Sequence, residues 1–155
     1  MPLINVYIHI RRMDLSSVEN CTCFNLRRVT RVITQCFDAE LRKYGIRVTQ
    51  TPILSALQAR SGWSMTELSD WLGMERTTLV RNLRPLQREG LIQISSGGQG
   101  GHVELAITTK GRAALSKMLP GWRSVQKKVV ATLGEKRWSA ILGDLEQAAT
   151  KLKDR

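Results

Sequence analysis

The chain has 155 residues, 42% of them hydrophobic and 24% charged, enough to bury roughly two thirds of its unfolded surface around one core without disulfides or metal. Basic side chains outnumber acidic ones 24 to 13, a formal charge of +11 that favours a polyanionic partner. No run approaches the 18 or more uncharged apolar residues of a membrane span, the N-terminus lacks the pattern of a secretory leader, and three cysteines cannot all pair. A reducing, cytoplasmic setting without a membrane partner is therefore expected.

Residues 1–16, with the short apolar stretch Pro2 to Ile10, read as a dispensable N-terminal arm. From about Ser17 to Tyr44 the positions Leu26, Val29, Val32, Ile33, Cys36, Phe37 and Leu41 recur at helical spacing, so a long amphipathic helix is expected, closed by Gly45. A second helix spans about Gln50 to Arg60, with Pro52 tolerated in its first turn. Ser64-Met-Thr-Glu67 is a capping box opening a third helix with Leu68, Trp71 and Leu72 on one side, and Gly73 ends it after barely two turns.

A fourth helix runs from about Glu75 to Glu89 and stops at Gly90. Two short strands follow, Leu91 to Ser95 and His102 to Ile107, joined by a glycine-rich tip from Gly97 to Gly101. Thr108 suits the cap of a helix reaching toward Leu133, bent at Pro120-Gly121, with Leu115, Met118, Leu119, Trp122, Val125 and Val129 as its stripe. After Gly134 a last helix carries Trp138, Ile141, Leu142, Leu145, Ala149 and Leu152.

Short helix, glycine turn, longer helix and hairpin form the order of a winged helix-turn-helix, whose second helix is sized for a DNA major groove. The expected fold is mainly α with a small β-hairpin wing (α+β): a winged lobe over residues 49–112 and a helical dimerisation region from residues 17–48 and 113–155. Charge location carries more than its total, because residues 60–112 hold 7 basic and 5 acidic side chains while residues 113–155 hold 9 and 4. At 100° per residue, Leu79, Leu83 and Leu86 fall within about 60° of one another, and Thr77, Arg81, Arg84 and Arg88 do so on the opposite side.

A solvated helix face normally mixes signs, whereas Arg76 to Arg88 contains four arginines and no acid. The guanidinium fork can bond guanine O6 and N7 or clamp a phosphate, and Thr77 and Thr78 are short enough to meet base edges. The expected DNA-binding residues are Arg76, Thr77, Thr78, Arg81, Asn82, Arg84, Arg88 and, in the wing, Gln99. Pro85 removes the bond to the Arg81 carbonyl and is expected to kink the C-terminal half, which favours Arg81 over Arg88 as a base-reading side chain.

The run from Thr66 to Ile92, TELSDWLGMERTTLVRNLRPLQREGLI, with the helix start Thr108-Thr-Lys-Gly111, resembles the core of the multiple-antibiotic-resistance regulator (MarR) family. The resemblance implies a homodimer with intertwined terminal helices, two winged lobes on a palindromic double-stranded operator, and repression relieved by a small ligand or oxidant. A small aromatic effector between the dimer core and the winged lobe is implied by the resemblance alone. The wing departs from the family, which has an arginine-bearing tip where Gly97 to Gly101 offer none, leaving backbone amides, Gln99 or His102 as substitutes.

Cys23-Phe-Asn-Leu-Arg27 is similar to the segment holding the reactive cysteine of the family's organic hydroperoxide regulators, but the tyrosines expected near Val48 and Thr51 are missing. Cys23 is thus a redox sensor at the positive end of a helix or a small packing residue. No nucleophile, base and orienter can be assembled, so an enzyme is not expected, and His9 and His102 do not stand at metal-ligand spacing from a cysteine, so neither metal nor cofactor is expected. The rival reading is a winged-helix protein-binding antagonist without DNA affinity.

Overall fold

The computed structural model describes residues 19–96 and 103–153; the N-terminal arm and the hairpin tip, with Gln99 and His102, lie outside the described residues. The chain divides into two units, one ending at Ile33 and one beginning at Thr34. The first holds the start of helix α1 (Thr22–Leu41), where the Asn25 amide donates to the Cys21 carbonyl at 3.0 Å. Within this unit Phe24, Leu26, Val29 and Val32 are all exposed.

In the second unit α1 buries only Phe37 and Leu41, then tightens into a 3-10 turn, Arg42–Tyr44. Of the stripe predicted for this helix, Leu26, Val29, Val32 and Cys36 are exposed, and Phe37 and Leu41 are buried. Helix α2 (Thr51–Ala59) buries Ile53, Leu54, Ala56 and Leu57, with Pro52 in its first turn where no helical N–H partner is needed. Strand β1 (Trp63–Ser64) leads into α3 (Met65–Leu72), and α4 (Arg76–Arg88) follows.

Strands β2 (Ile92–Ser96) and β3 (Val103–Ile107) pair antiparallel, with Ile94 opposite Leu105 and Ile92 opposite Ile107. Strand β1 joins on the other side of β3 through Trp63 opposite Leu105, giving the order β1-β3-β2. This third strand was not expected. Two residues have no readable period, and their extended form depends on β3, about forty residues on.

Helix α5 (Thr109–Leu133) starts from Thr108, whose Oγ1 accepts the Gly111 N–H at 3.0 Å, and it continues through Pro120 without a break. Lys110, Arg112, Lys117, Arg123, Lys127 and Lys128 are all exposed along it, and the helix contains no acid. Met118, Gly121 and Val125 are buried, and the Trp122 ring lies 5.9 Å from that of Phe37. Trp122 thus packs against Phe37 of its own chain. Helix α6 (Glu135–Lys153) has no buried residue among those described, and Ile141, Leu142 and Leu145 are exposed. No helix among the described residues is long and apolar enough to cross a membrane.

Candidate nucleic-acid interface

The site is built on α3, one turn and α4. The Ser64 hydroxyl accepts the Glu67 N–H at 3.1 Å, and the Glu67 carboxylate accepts the Ser64 N–H at 2.9 Å, so the capping box read from the sequence is closed in both directions. The backbone N–H of Ser64, and then the Arg60 guanidinium at 2.5 Å, hold the Glu67 carboxyl down to about 2. Gly73 stops α3 with φ +62°, a left-handed conformation that costs a side-chain-bearing residue roughly 1 kcal/mol.

Trp71, expected beside Leu68 and Leu72 on the packed side, is instead 60% exposed. In a two-turn helix the packed side is completed by Ser69, and Trp71 falls on the outer edge, its ring 6.0 Å from Trp63. Trp63 is in turn anchored by its indole N–H, which donates to the Ala56 carbonyl at 2.9 Å, and is covered by the Arg60 guanidinium, 4.3 Å from its ring.

On α4 the two faces separate as the angular count predicts. Leu79, Leu83 and Leu86 are essentially fully buried, and Arg76, Thr77, Arg81, Arg84 and Arg88 are exposed. None of the four arginines has an ion pair or hydrogen bond with another described residue, whereas Lys43 pairs with Glu40 and Arg60 with Glu67. Arg81, Arg84 and Arg88, set opposite three buried leucines, make a cationic ridge, and Arg76 stands exposed at the start of the helix. The N-cap residue Glu75 makes no side-chain cap bond, which leaves the first amides of α4 without a side-chain acceptor.

Two predicted contacts sit apart from this ridge. Thr78 is half-buried, and Asn82 is half-buried with its amide 3.8 Å from the Met74 sulfur, turned toward the residue that joins α3 to α4. The helix passes through Pro85 and ends at Arg88. Gln99, the predicted wing contact, lies outside the described residues. Cys23 is the second residue of α1, and Cys21, Cys23 and Cys36 are exposed free thiols.

A feature that sequence reading missed is a cavity of about 580 Å³ between α2 and α5, within the size range of small-molecule sites. Pro52, Leu115, Leu119 and Trp122 supply its apolar walls, and Ser55 and Arg112 its polar edge. Its walls come from segments some sixty residues apart, so no local pattern could reveal it.

No protein-family model and no curated protein sequence matches the chain. Among solved structures, the M. tuberculosis transcriptional regulator MosR in complex with DNA is 35% identical, with 86% of this chain and 97% of that one covered and a TM-score of 0.78. The chain belongs to the MarR family. A second structure of M. tuberculosis MosR is 37% identical over 86% of this chain and 98% of that one, with a TM-score of 0.73. The transcriptional repressor CouR, bound to a 23-mer DNA duplex, is 22% identical over 88% and 98% of the two chains, with a TM-score of 0.77. At that identity it speaks for the fold alone, as does CouR bound to p-coumaroyl-CoA, with a TM-score of 0.75.

The mainly α fold with a small β wing is thus that of MarR-family winged-helix transcriptional regulators. These relatives are regulators and not enzymes, and they lend nothing to a protein-binding antagonist without DNA affinity.

Proposed function

We propose that this MarR-family chain is a cytoplasmic, homodimeric transcriptional repressor that binds a palindromic double-stranded operator and is released by a small ligand or oxidant. The observation that carries the reading is the unpaired arginine face of α4, set opposite three buried leucines and directly after a capped short helix. Arg76, Thr77, Arg81, Arg84 and Arg88 form the main contact surface, with Arg81 reading bases. Thr78 and Asn82 act at its margin, Asn82 through the α3–α4 turn, and Gln99 contributes from the wing. MosR, a relative at 35% identity, has been solved in complex with DNA, which supports the assignment.

The division of labour follows the sequence boundaries: residues 49–112 form the lobe, while residues 17–48 and 113–155 supply the dimer helices, whose exposed leucines a second copy covers. The cavity between α2 and α5 takes the effector. Its apolar walls with one guanidinium at the edge suit a small aromatic acid.

Selection of bound sites from random duplexes, followed by salt titration of the winning sequence, tests the reading. The expected result is a palindrome with half-sites about one DNA turn apart, and an affinity that falls steeply with salt. Recovery of no enriched sequence, with binding no tighter than to random duplex, overturns it.

A further inference from the structure

The three residues that follow the recognition helix are tied to the start of α5. The Lys110 ammonium donates to the Glu89 carbonyl at 2.7 Å, and the Thr108 hydroxyl donates to the Gly90 carbonyl at 2.7 Å. The Thr108 N–H donates to the Leu91 carbonyl at 3.0 Å. The last carbonyls of α4 are capped locally by the N–H groups of Glu89, Gly90 and Leu91, and the three carbonyls that follow are all held by Thr108 and Lys110 at the start of α5, the Leu91 bond extending the β2–β3 ladder. Gly111 brings the two backbones so close that a Cβ there would overlap the Leu91 carbonyl oxygen and lie 2.8 Å from Ile107.

The same helix turn continues directly into the cavity wall. Arg112 follows Gly111, and Leu115, Ser116 and Leu119 line the cavity within about 12 Å along the axis. A side chain or ligand that pushes on this wall pushes on a helix end that cannot tilt without straining three hydrogen bonds and a backbone contact.

We infer that the Thr108–Gly111 turn is a relay, coupling occupancy of the α2–α5 cavity to the seating of the C-terminal end of the recognition helix. Lys110 is a positioning residue in it: its ammonium is committed to Glu89, so it acts on the pose of α4. Its DNA arm rests on the proposed DNA-binding reading; its structural arm does not.

The test fills the cavity from the wall that is not part of the relay. Ser55→Phe places a ring in the cavity from α2, and Gln58→Phe does so from the same helix should the first variant fail to fold. Hydrogen exchange is read at the amides of Gly90, Leu91 and Thr108, with Leu105 in the central strand as control. A relay predicts a loss of protection of about tenfold at Thr108, whose N–H crosses the joint, and at Gly90 and Leu91, whose N–H groups close the end of α4, and none at Leu105. Operator affinity should fall by about tenfold on filling in the native background and by less than about twofold in the Lys110→Met background, where the exposed link is cut.

The salt dependence of binding should be the same for Lys110→Met as for the native chain, since no phosphate contact is lost. Unchanged exchange at Gly90, Leu91 and Thr108 in a filled and folded variant overturns the relay, as do equal fold-changes in the two Lys110 backgrounds. A chain that binds no operator would overturn the DNA-binding reading, while the exchange experiment would still decide the relay.

Discussion

Helices α4 and α6 are both amphipathic, but only α4 has its apolar face covered by its own chain. In α4 the leucines at 79, 83 and 86 are at most 1% exposed, whereas in α6 Ile141, Leu142 and Leu145 stand 40% exposed or more. Periodicity states that a face is to be covered; it does not say by what. The leucines of α4 meet the sheet and α3, giving the arginine face a fixed base. Those of α6 are left 40% exposed or more by the described residues, and a second copy is the cover proposed for them.

The largest expected effect separates the two helices directly. Leu83→Ala should cost about 2–5 kcal/mol of stability, from lost burial and the cavity left behind. Leu145→Ala is the complementary probe: in an isolated chain it would cost less than about 0.5 kcal/mol, as surface changes do. In a homodimer it should lower the Tm by an amount that depends on protein concentration. Light scattering decides the same point, and a mass near 17.5 kDa at micromolar concentration would remove the second copy as the cover.

A smaller effect is expected on the polar side of α4. Arg81→Ala should weaken specific DNA binding by about 1–3 kcal/mol and leave the melting curve unchanged, because the side chain is exposed and unpaired. An unaltered affinity at fixed salt would move base reading to another residue. Next comes Cys23, an exposed thiol at the start of α1. Organic hydroperoxide should lower operator affinity at least about fivefold in the native chain and leave Cys23→Ser unaffected. Equal behaviour of the two would assign release to the cavity alone.

The smallest effect concerns α3, whose cap sets the approach to the turn. The Glu67 carboxyl is held at about 2, chiefly by the Ser64 N–H, so its ionised form belongs to the folded state. Its contribution is complete above the ordinary carboxylate range and disappears as the pH falls through about 2. Glu67→Gln should therefore lower the Tm by about 2 °C or less near neutral pH, with the gap closing below pH 4. A gap that persists unchanged to pH 2 would deny the carboxylate this part.

What was legible in the sequence was local. The Ser64–Glu67 box, the Gly73 stop and the Thr108 cap each join residues a few positions apart, and each is present at hydrogen-bonding distance. The two faces of α4 were equally legible, since angle alone sorts Leu83 from Arg81. What escaped depends on partners distant in the chain. The Trp63–Ser64 strand exists through Leu105 and Glu104, and the cavity through the meeting of Pro52 with Trp122. Asn82 was expected at the DNA contact, yet it stands apart from the arginine ridge, half-buried, with its amide turned to Met74.

The six bases of α5 have a consequence of their own. With no acidic residue along 25 positions, Lys110, Arg112, Lys117, Arg123, Lys127 and Lys128 repel one another and find no ion pair on their own helix. Added electrolyte shortens the reach of that repulsion to about 8 Å at physiological ionic strength, so the isolated protein should melt higher as salt rises. The same electrolyte replaces the counterions that arginines would displace from a duplex, and there it weakens the complex. Folding and operator binding should thus answer to salt with opposite sign, and a dilute buffer that favours the complex is the one in which the free chain is least robust.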